Sequence, residues 1–399
     1  MLNFFNHIFL LLVFWSVYIP GSILTGIFKV CRISNSRPQS NSVLYLAAFF
    51  AENAGYQYRV NKWAEIIRSQ GCEVDIKAVF NKEEFEKLTE RNHPLLYIKS
   101  FVLRFFQILQ ARKYKTVIVR RELCIFNDYG NLFLEKLLVS IHPFVILDFD
   151  DDIAYAKNEK REVNLFGKFM LESGEKFTKS LKLYQRFIVG SNYLKQYLLE
   201  LNPKLSDNSV LVIPTCVDYH KSDKKEYNPN GMISFGWIGG NYNLKLLDKL
   251  IPSLNKLSKS HPINLKVISG KAYSADANFE IENLPWSIDT QIDQLKQIDI
   301  GLMPLNNTDE DKGKCGFKLI QYMGLGIVSI ASGVTVNNEI IEDDRNGYLV
   351  ADDEDWESVF QKVISKKDRF SEIGAKARKS IQDKYSFEAN TKNYLSFIE

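Results

Sequence analysis

Residues 311–333 read DKGKCGFKLIQYMGLGIVSIASG. A turn rich in glycine and lysine (Gly313, Lys314, Gly316, Lys318) runs into a short apolar helix expected over Phe317–Leu325. Gly326 ends that helix, and a β-branched strand, Ile327–Ile330, follows. Such a turn suits an anion. Glycine lets the backbone approach a ligand, and the first turn of a helix offers N–H groups and a dipole that favours negative charge. The two lysines add mobile positive charge. The same residues also suit a basic loop that does no more than cap a helix.

The surroundings narrow the choice. Upstream, Asp299-Ile300-Gly301-Leu302-Met303-Pro304-Leu305 is a strand that stops at Pro304; downstream stand Asn346-Gly347-Tyr348-Leu349-Val350 and Asp355-Trp356. Phe235-Gly236-Trp237-Ile238-Gly239-Gly240 is a strand running into a glycine loop, and Ile213-Pro214-Thr215-Cys216-Val217-Asp218 precedes it. Gly55-Tyr56-Gln57-Tyr58-Arg59-Val60 and Asp148-Phe149-Asp150-Asp151 stand in the first half. In this order the motifs resemble the retaining glycosyltransferases of the GT-B fold, family 4, from about Val43 to the C-terminus. The resemblance implies an α/β protein of two Rossmann-like domains facing a cleft.

Length and composition agree with two globular domains: 399 residues, 45% hydrophobic and 25% charged. A net charge of +3 gives no field that argues for nucleic acid. Five cysteines without paired spacing fit neither a disulfide framework nor a structural zinc site, and point to reduced thiols in a cytoplasmic setting. The N-terminus differs from the rest. Ile8–Phe28 carries no charge, and a helix of that length spans a bilayer. Pro20-Gly21 interrupts it, so an interfacial or re-entrant helix is the alternative, and a buried helix a third. No basic n-region or cleavage site marks a signal peptide. Lys29, Arg32 and Arg37 follow, and the positive-inside rule keeps the body in the cytoplasm.

Along the chain, strands are expected at Val43–Phe50, Glu73–Val79, Thr116–Val119, Phe144–Leu147, Phe187–Val189 and Val210–Ile213. Helices are expected at Arg59–Gln70, Phe101–Arg112, Leu132–Ser140 and Tyr193–Leu201, which gives βαβ units and a parallel sheet. The alternation then restarts with strands at Met232–Trp237, Leu265–Ser269 and Ile300–Met303. Its helices are Leu244–Leu257, Ile288–Gln297, Trp356–Ile364 and Arg369–Tyr385. The division is a hydrophobic N-terminal segment over 1–30, an acceptor domain over 43–212, a nucleotide-sugar donor domain over 213–385, and a closing helix over 386–399. By the resemblance that helix crosses back to the first domain.

The chemistry implied by the resemblance is transfer of a sugar from a nucleoside diphosphate to a glycan or lipid-linked acceptor. It needs positive charge at the leaving diphosphate and a site that excludes water. The donor-binding candidates are Gly239, Gly240, Lys245, Trp286, Lys314, Gly316, Phe317, Lys318 and Gln321. Lys245 is also a plain solvated helix lysine, and Trp286 either stacks on a base or packs as a loop anchor. The family carries two glutamates eight positions apart across this helix start. Here the second position is Gln321, whose amide still suits ribose hydroxyls, and the first is Gly313.

On the acceptor side stand Tyr58, Arg59, Glu122 and Asp148; the catalytic candidates are Asp150, Asp151 and Arg121. Arg120-Arg121-Glu122 suits either an anionic acceptor or an internal ion pair. An aspartate after this strand is either a base toward the acceptor or a helix cap. No cofactor is expected and no metal, although Asp148-Phe149-Asp150 leaves open a metal-dependent GT-A enzyme. An NAD-dependent oxidoreductase lacks its glycine fingerprint after the first strand, where Ala51-Glu52-Asn53 stands. A non-catalytic nucleotide-sugar-binding scaffold is the last rival, and a hydrolase has no Gly-x-Ser-x-Gly to support it.

Overall fold

The computed structural model describes residues 12, 23, 41–48, 54–84, 87, 94–126, 131–151, 175–219, 223, 225–227, 231–351 and 356–399. The N-terminal apolar run apart from Leu12 and Ile23, the cations that follow it, Ala51-Glu52-Asn53, Asp152 and Asp355 lie outside the described residues. Among the described residues no helix is long and apolar enough to cross a membrane. The chain divides into two units, Met1–Ile213 with Asn393–Glu399, and Pro214–Lys392.

The first unit holds a parallel sheet of β1 (Ser42–Ala47), β2 (Glu73–Ala78), β3 (Thr116–Arg120), β4 (Val145–Phe149), β5 (Arg186–Val189) and β6 (Val210–Val212), in the order β2-β1-β3-β4-β5-β6. Strands β1, β3 and β4 are buried along their whole length. This is why they read as largely apolar runs: a parallel sheet is covered on both faces. The helix over Lys62–Ser69 puts Trp63, Ala64 and Ile67 into the core, and the turn before it, Gln57–Asn61, is π-helical and contains Arg59. Near the chain end, Tyr394 stacks on Trp63 at 3.9 Å, and its hydroxyl meets that of Tyr45 at 2.6 Å. Burial raises the pKa of both phenols, so the pair is neutral.

The second unit repeats the design with β7 (Ile233–Ile238), β8 (Ile263–Ser269), β9 (Glu280–Pro285), β10 (Ile300–Met303), β11 (Val328–Ser332) and β12 (Tyr348–Val350), ordered β12-β11-β10-β7-β8-β9 and parallel throughout. Strand order reverses between β7 and β10 here, and between β1 and β3 in the first unit. Ligands of open α/β sheets bind outside the carboxyl ends of strands at such reversals.

Three expectations change. The helix expected over Leu244–Leu257 is a 3-10 segment over Asn241–Leu250 followed by an α-helix over Ile251–Leu257. Pro252 lies in the first turn of that α-helix, because it has no N–H to continue an α-helical ladder from the preceding turn. The helix expected from Ile288 begins only at Gln291. Ser287 and Thr290 form a side-chain turn before it, the Thr290 N–H donating to Ser287 Oγ at 3.2 Å. The helix expected from Phe101 starts earlier, at Pro94, whose fixed φ and missing N–H suit a helix start.

Candidate functional site

In the second unit β7 and β10 part early at the reversal point. Strands β7 and β10 pair only at Ile300–Phe235 and Gly301–Gly236. Beyond these residues Tyr322 stands in for the ladder: its buried hydroxyl accepts from the Ile238 N–H at 2.9 Å and donates to the Leu302 carbonyl at 3.4 Å. Burial holds this phenol far above its ordinary pKa, so it stays protonated and can donate. The ring fits because residue 301 is glycine; a Cβ there would lie 2.5 Å from it.

Tyr322 belongs to the helix over Phe317–Leu325, which opens at Gly316 with φ 70° and closes at Gly326 with φ 79°. Lys318, Gln321 and Tyr322 are spaced i, i+3 and i+4 and therefore share a face. Lys318 reaches across to the end of β7. Its ammonium lies 5.3 Å over the Trp237 ring. A Cβ added at Gly239 would meet Lys318 Cε at 2.8 Å, so the lysine stem runs over the glycine backbone. Gly240 faces open space and is exposed. Its neighbour is tied down, since the Ser269 hydroxyl at the end of β8 donates to the Gly239 carbonyl at 2.9 Å. A glycine loop at a strand end, a lysine lying over it and the start of a helix thus meet beyond the reversal point.

The other expected donor residues fall into two groups. Trp286, Gln321 and a residue not singled out from the sequence, Gln291, form one cluster. Gln291 Oε1 accepts from Trp286 Nε1 at 3.4 Å and from Gln321 Nε2 at 3.2 Å. Lys314 pairs with Glu310 at 3.0 Å, which lowers the net positive charge of that turn. Lys245 is exposed and lies 4.8 Å over the Tyr242 ring. One helical turn later, Lys249 donates to the Leu305 carbonyl after β10 and to Asn306 Oδ1. Sequence spacing singled out the first of these two lysines and missed the second.

In the first unit the candidates form a buried chain of charges. Asp148 Oδ1 accepts from Arg59 Nη2 at 2.6 Å and Nε at 3.2 Å. Arg59 Nη1 donates to the Ile213 carbonyl at 2.6 Å. Arg120 reaches Asp148 at 3.4 Å and Asp150 Oδ1 at 2.6 Å. The Arg59 and Asp148 side chains are 0% exposed. In this arrangement Arg59 and Asp148 pair in the interior of the unit. Asp150, with 11% of its side chain exposed, is the end of the chain nearer to solvent. Arg120 resolves its two readings in favour of the ion pair. The two aspartates face arginines, and among the described residues no group of three or more His, Cys, Asp or Glu is placed to hold a metal.

Arg121 follows β3 with φ 64°, a left-handed conformation that is costly for a side chain of this kind, and its N–H donates to the Asp148 carbonyl at 2.7 Å. Glu122 is buried, while Tyr58 and Asp151 are partly buried. The loop they begin is fixed from below. Buried Arg104 donates to the Leu123 carbonyl at 2.8 Å, and buried Lys176 to the carbonyls of Cys124 at 3.0 Å and Phe126 at 3.2 Å.

Residues 233–366 match a family model described as Glycosyl transferases group 1. No curated protein sequence matches the chain. Among solved structures, sucrose-phosphate synthase from Thermosynechococcus elongatus is similar with a TM-score of 0.64 and 11% identity, covering 90% of this chain and 98% of its own. HepE from Anabaena, in complex with UDP-glucose, has a TM-score of 0.59 and 10% identity, over 89% and 99%. A glycosyltransferase from Rickettsia africae has a TM-score of 0.57 and 14% identity, over 90% and 98%. At these identities the likeness establishes the fold, which is GT-B, and the GT-A alternative is set aside.

Proposed function

We propose that this chain, a GT-B glycosyltransferase whose second unit carries the group 1 family module, moves a sugar from a UDP- or GDP-sugar to a glycan or lipid-linked acceptor. The observation that carries the donor assignment is the convergence of Gly239-Gly240, Lys318 and the helix start at Phe317 at the β7–β10 reversal. Positive charge and backbone N–H groups there match a leaving diphosphate. Lys318 neutralises it, Gly239 and Gly240 admit it, and Trp286 and Gln321 take the nucleoside. HepE, a structural neighbour, has been solved with UDP-glucose.

The reaction we infer is retaining and needs no metal. The anomeric carbon–phosphate oxygen bond breaks, the acceptor oxygen bonds the same face of that carbon, and its proton passes to the departing diphosphate. No side-chain nucleophile is required. Asp150, Asp151 and Arg121, at the carboxyl ends of β3 and β4, place the acceptor hydroxyl. A role in cell-surface polysaccharide synthesis follows from the N-terminal apolar run, which would hold the protein at the cytoplasmic face of the membrane that carries a lipid-linked acceptor. Deleting Met1–Phe28 should move the protein from the membrane to the soluble fraction. Continued sedimentation with membranes would remove that run as the attachment.

Calorimetric titration with UDP, GDP, CMP and NAD in EDTA tests the donor assignment. UDP or GDP should bind and CMP and NAD should not. Binding that appears only after Mn²⁺ is added would overturn metal independence, and binding of none would overturn the donor site.

A further inference from the structure

We propose that Gln291 is a positioning residue that fixes Gln321 as a hydroxyl acceptor for the nucleoside, and that the amide at 321 is matched to the amide at 291. The inference rests on the donor reading above. Gln291 and Gln321 are 2% and 3% exposed. The orientation of Gln291 is set by its neighbours. Its Oε1 accepts from the Trp286 indole N–H and from Gln321 Nε2, while its own Nε2 donates to the Ile288 carbonyl at 3.3 Å. A flip would set Nε2 against two donors and Oε1 against a carbonyl, so it is disfavoured. With Gln321 Nε2 committed, the other end of the amide, Oε1, is the atom left to receive a hydrogen bond; among the described residues it takes none.

The helix places that oxygen. Gln321 lies three residues beyond Lys318, a rise of about 4.5 Å along the same face. An anion seated at Lys318 and Gly239 would therefore have its sugar hydroxyls, not a further anion, beside Gln321. The geometry also gives a reason for glutamine at this position. A carboxylate at 321 would face Gln291 Oε1 across the present 3.2 Å, oxygen against oxygen, and Gln291 could turn its amide nitrogen inward only by giving up Trp286 and Ile288. Trp286 is held by the same atom, so one buried amide sets both the indole and the hydroxyl acceptor.

The test uses the full chain with UDP and GDP, their 2′-deoxy and 3′-deoxy counterparts, and inorganic pyrophosphate as the control. The native chain should prefer a ribonucleotide over a deoxy counterpart by about tenfold. Gln291→Leu should remove most of that preference while leaving pyrophosphate affinity unchanged. A loss of pyrophosphate binding with it would mean general damage to the unit and overturn the positioning role. Gln291→Glu keeps an acceptor oxygen for Trp286 and Gln321 but sets its second oxygen against the Ile288 carbonyl, so it should restore the preference only in part. Gln321→Glu should bind the ribonucleotide about tenfold more weakly than the native chain. Equal or tighter binding by Gln321→Glu, or an unmoved preference in Gln291→Leu, overturns the inference while the donor site stands. A native chain that binds pyrophosphate but no nucleotide overturns both.

Discussion

Asp148→Ala should destabilise the first unit by about 3–5 kcal/mol, the usual cost of removing one partner from a buried ion pair. Arg59 is completely buried, and its contacts include two hydrogen bonds to the aspartate and one to the Ile213 carbonyl. Without the aspartate a buried guanidinium loses the carboxylate it faces, which costs more than the hydrogen bonds alone. Domains are stable by about 5–15 kcal/mol in total, so the loss is a large share. Hydrogen exchange localises it: amides of β1, β3 and β4 should exchange much faster, and those of β7 and β8 should not. Asp148→Asn should fall between, because its Oδ1 still accepts from Arg59 but carries no full charge. The double substitution Arg59→Met with Asp148→Leu should recover part of the loss, since it leaves no unpaired charge. A cost below about 1 kcal/mol for Asp148→Ala would show that water reaches the pair and that it is not the keystone of this strand end.

This network explains why the acceptor side was harder to read than the fold. Arg59, Arg120, Asp148 and Asp150 all stand at or near strand ends, where both surface sites and internal ion pairs occur. The residue types are the same in each case; only burial separates them. Arg59 became internal because its π-helical turn directs it at β4, and nothing in Gly55–Val60 announces that turn. By contrast, Phe317–Leu325 and Ile300–Met303 lie where the sequence placed them. Glycines bound the first, and the second is an apolar run stopped by proline. The strand Glu280–Pro285 has no apolar signature because it is an edge strand with no buried residue and a terminal proline, features shared with loops. Tyr348–Val350 was quoted as a motif but is too short for periodicity to identify it as a strand.

The donor side was more legible because its parts are close in sequence. Gly313 to Gln321 contains the turn, the helix start and the helix face together. Even so, the order of lysines did not single out Lys249. Lys245 and Lys249 are one turn apart, yet Lys249 is the one that contacts the residues after β10. Gln291 left no signal at all: it lies thirty residues before Gln321 and belongs to no short motif.

Replacing both Lys314 and Lys318 with alanine should weaken UDP or GDP binding by more than tenfold, about 1.4 kcal/mol. The two lysines are not equivalent. Lys314 already spends its charge on Glu310 at 3.0 Å, and this carboxylate would oppose an incoming phosphate once the lysine is gone. Lys318 has the Trp237 ring beneath its ammonium and the Gly239 backbone beneath its stem. Its charge therefore lies at the strand end. Two unit charges about 4 Å apart interact by about 4 kcal/mol at an effective dielectric of 20, and lost hydration reduces this. Lys318→Ala alone should then account for most of the double variant's loss. Gly239→Ala provides a test that leaves every charge in place. Its Cβ would lie 2.6 Å from Trp237 and 2.8 Å from Lys318 Cε, so the ammonium must move and affinity should fall as it does in Lys318→Ala. If calorimetry finds the native affinity in both Lys318→Ala and Gly239→Ala, the diphosphate does not sit at the end of β7. If the loss instead follows Lys314 alone, the anion lies at the Gly313–Gly316 turn, one step before the helix.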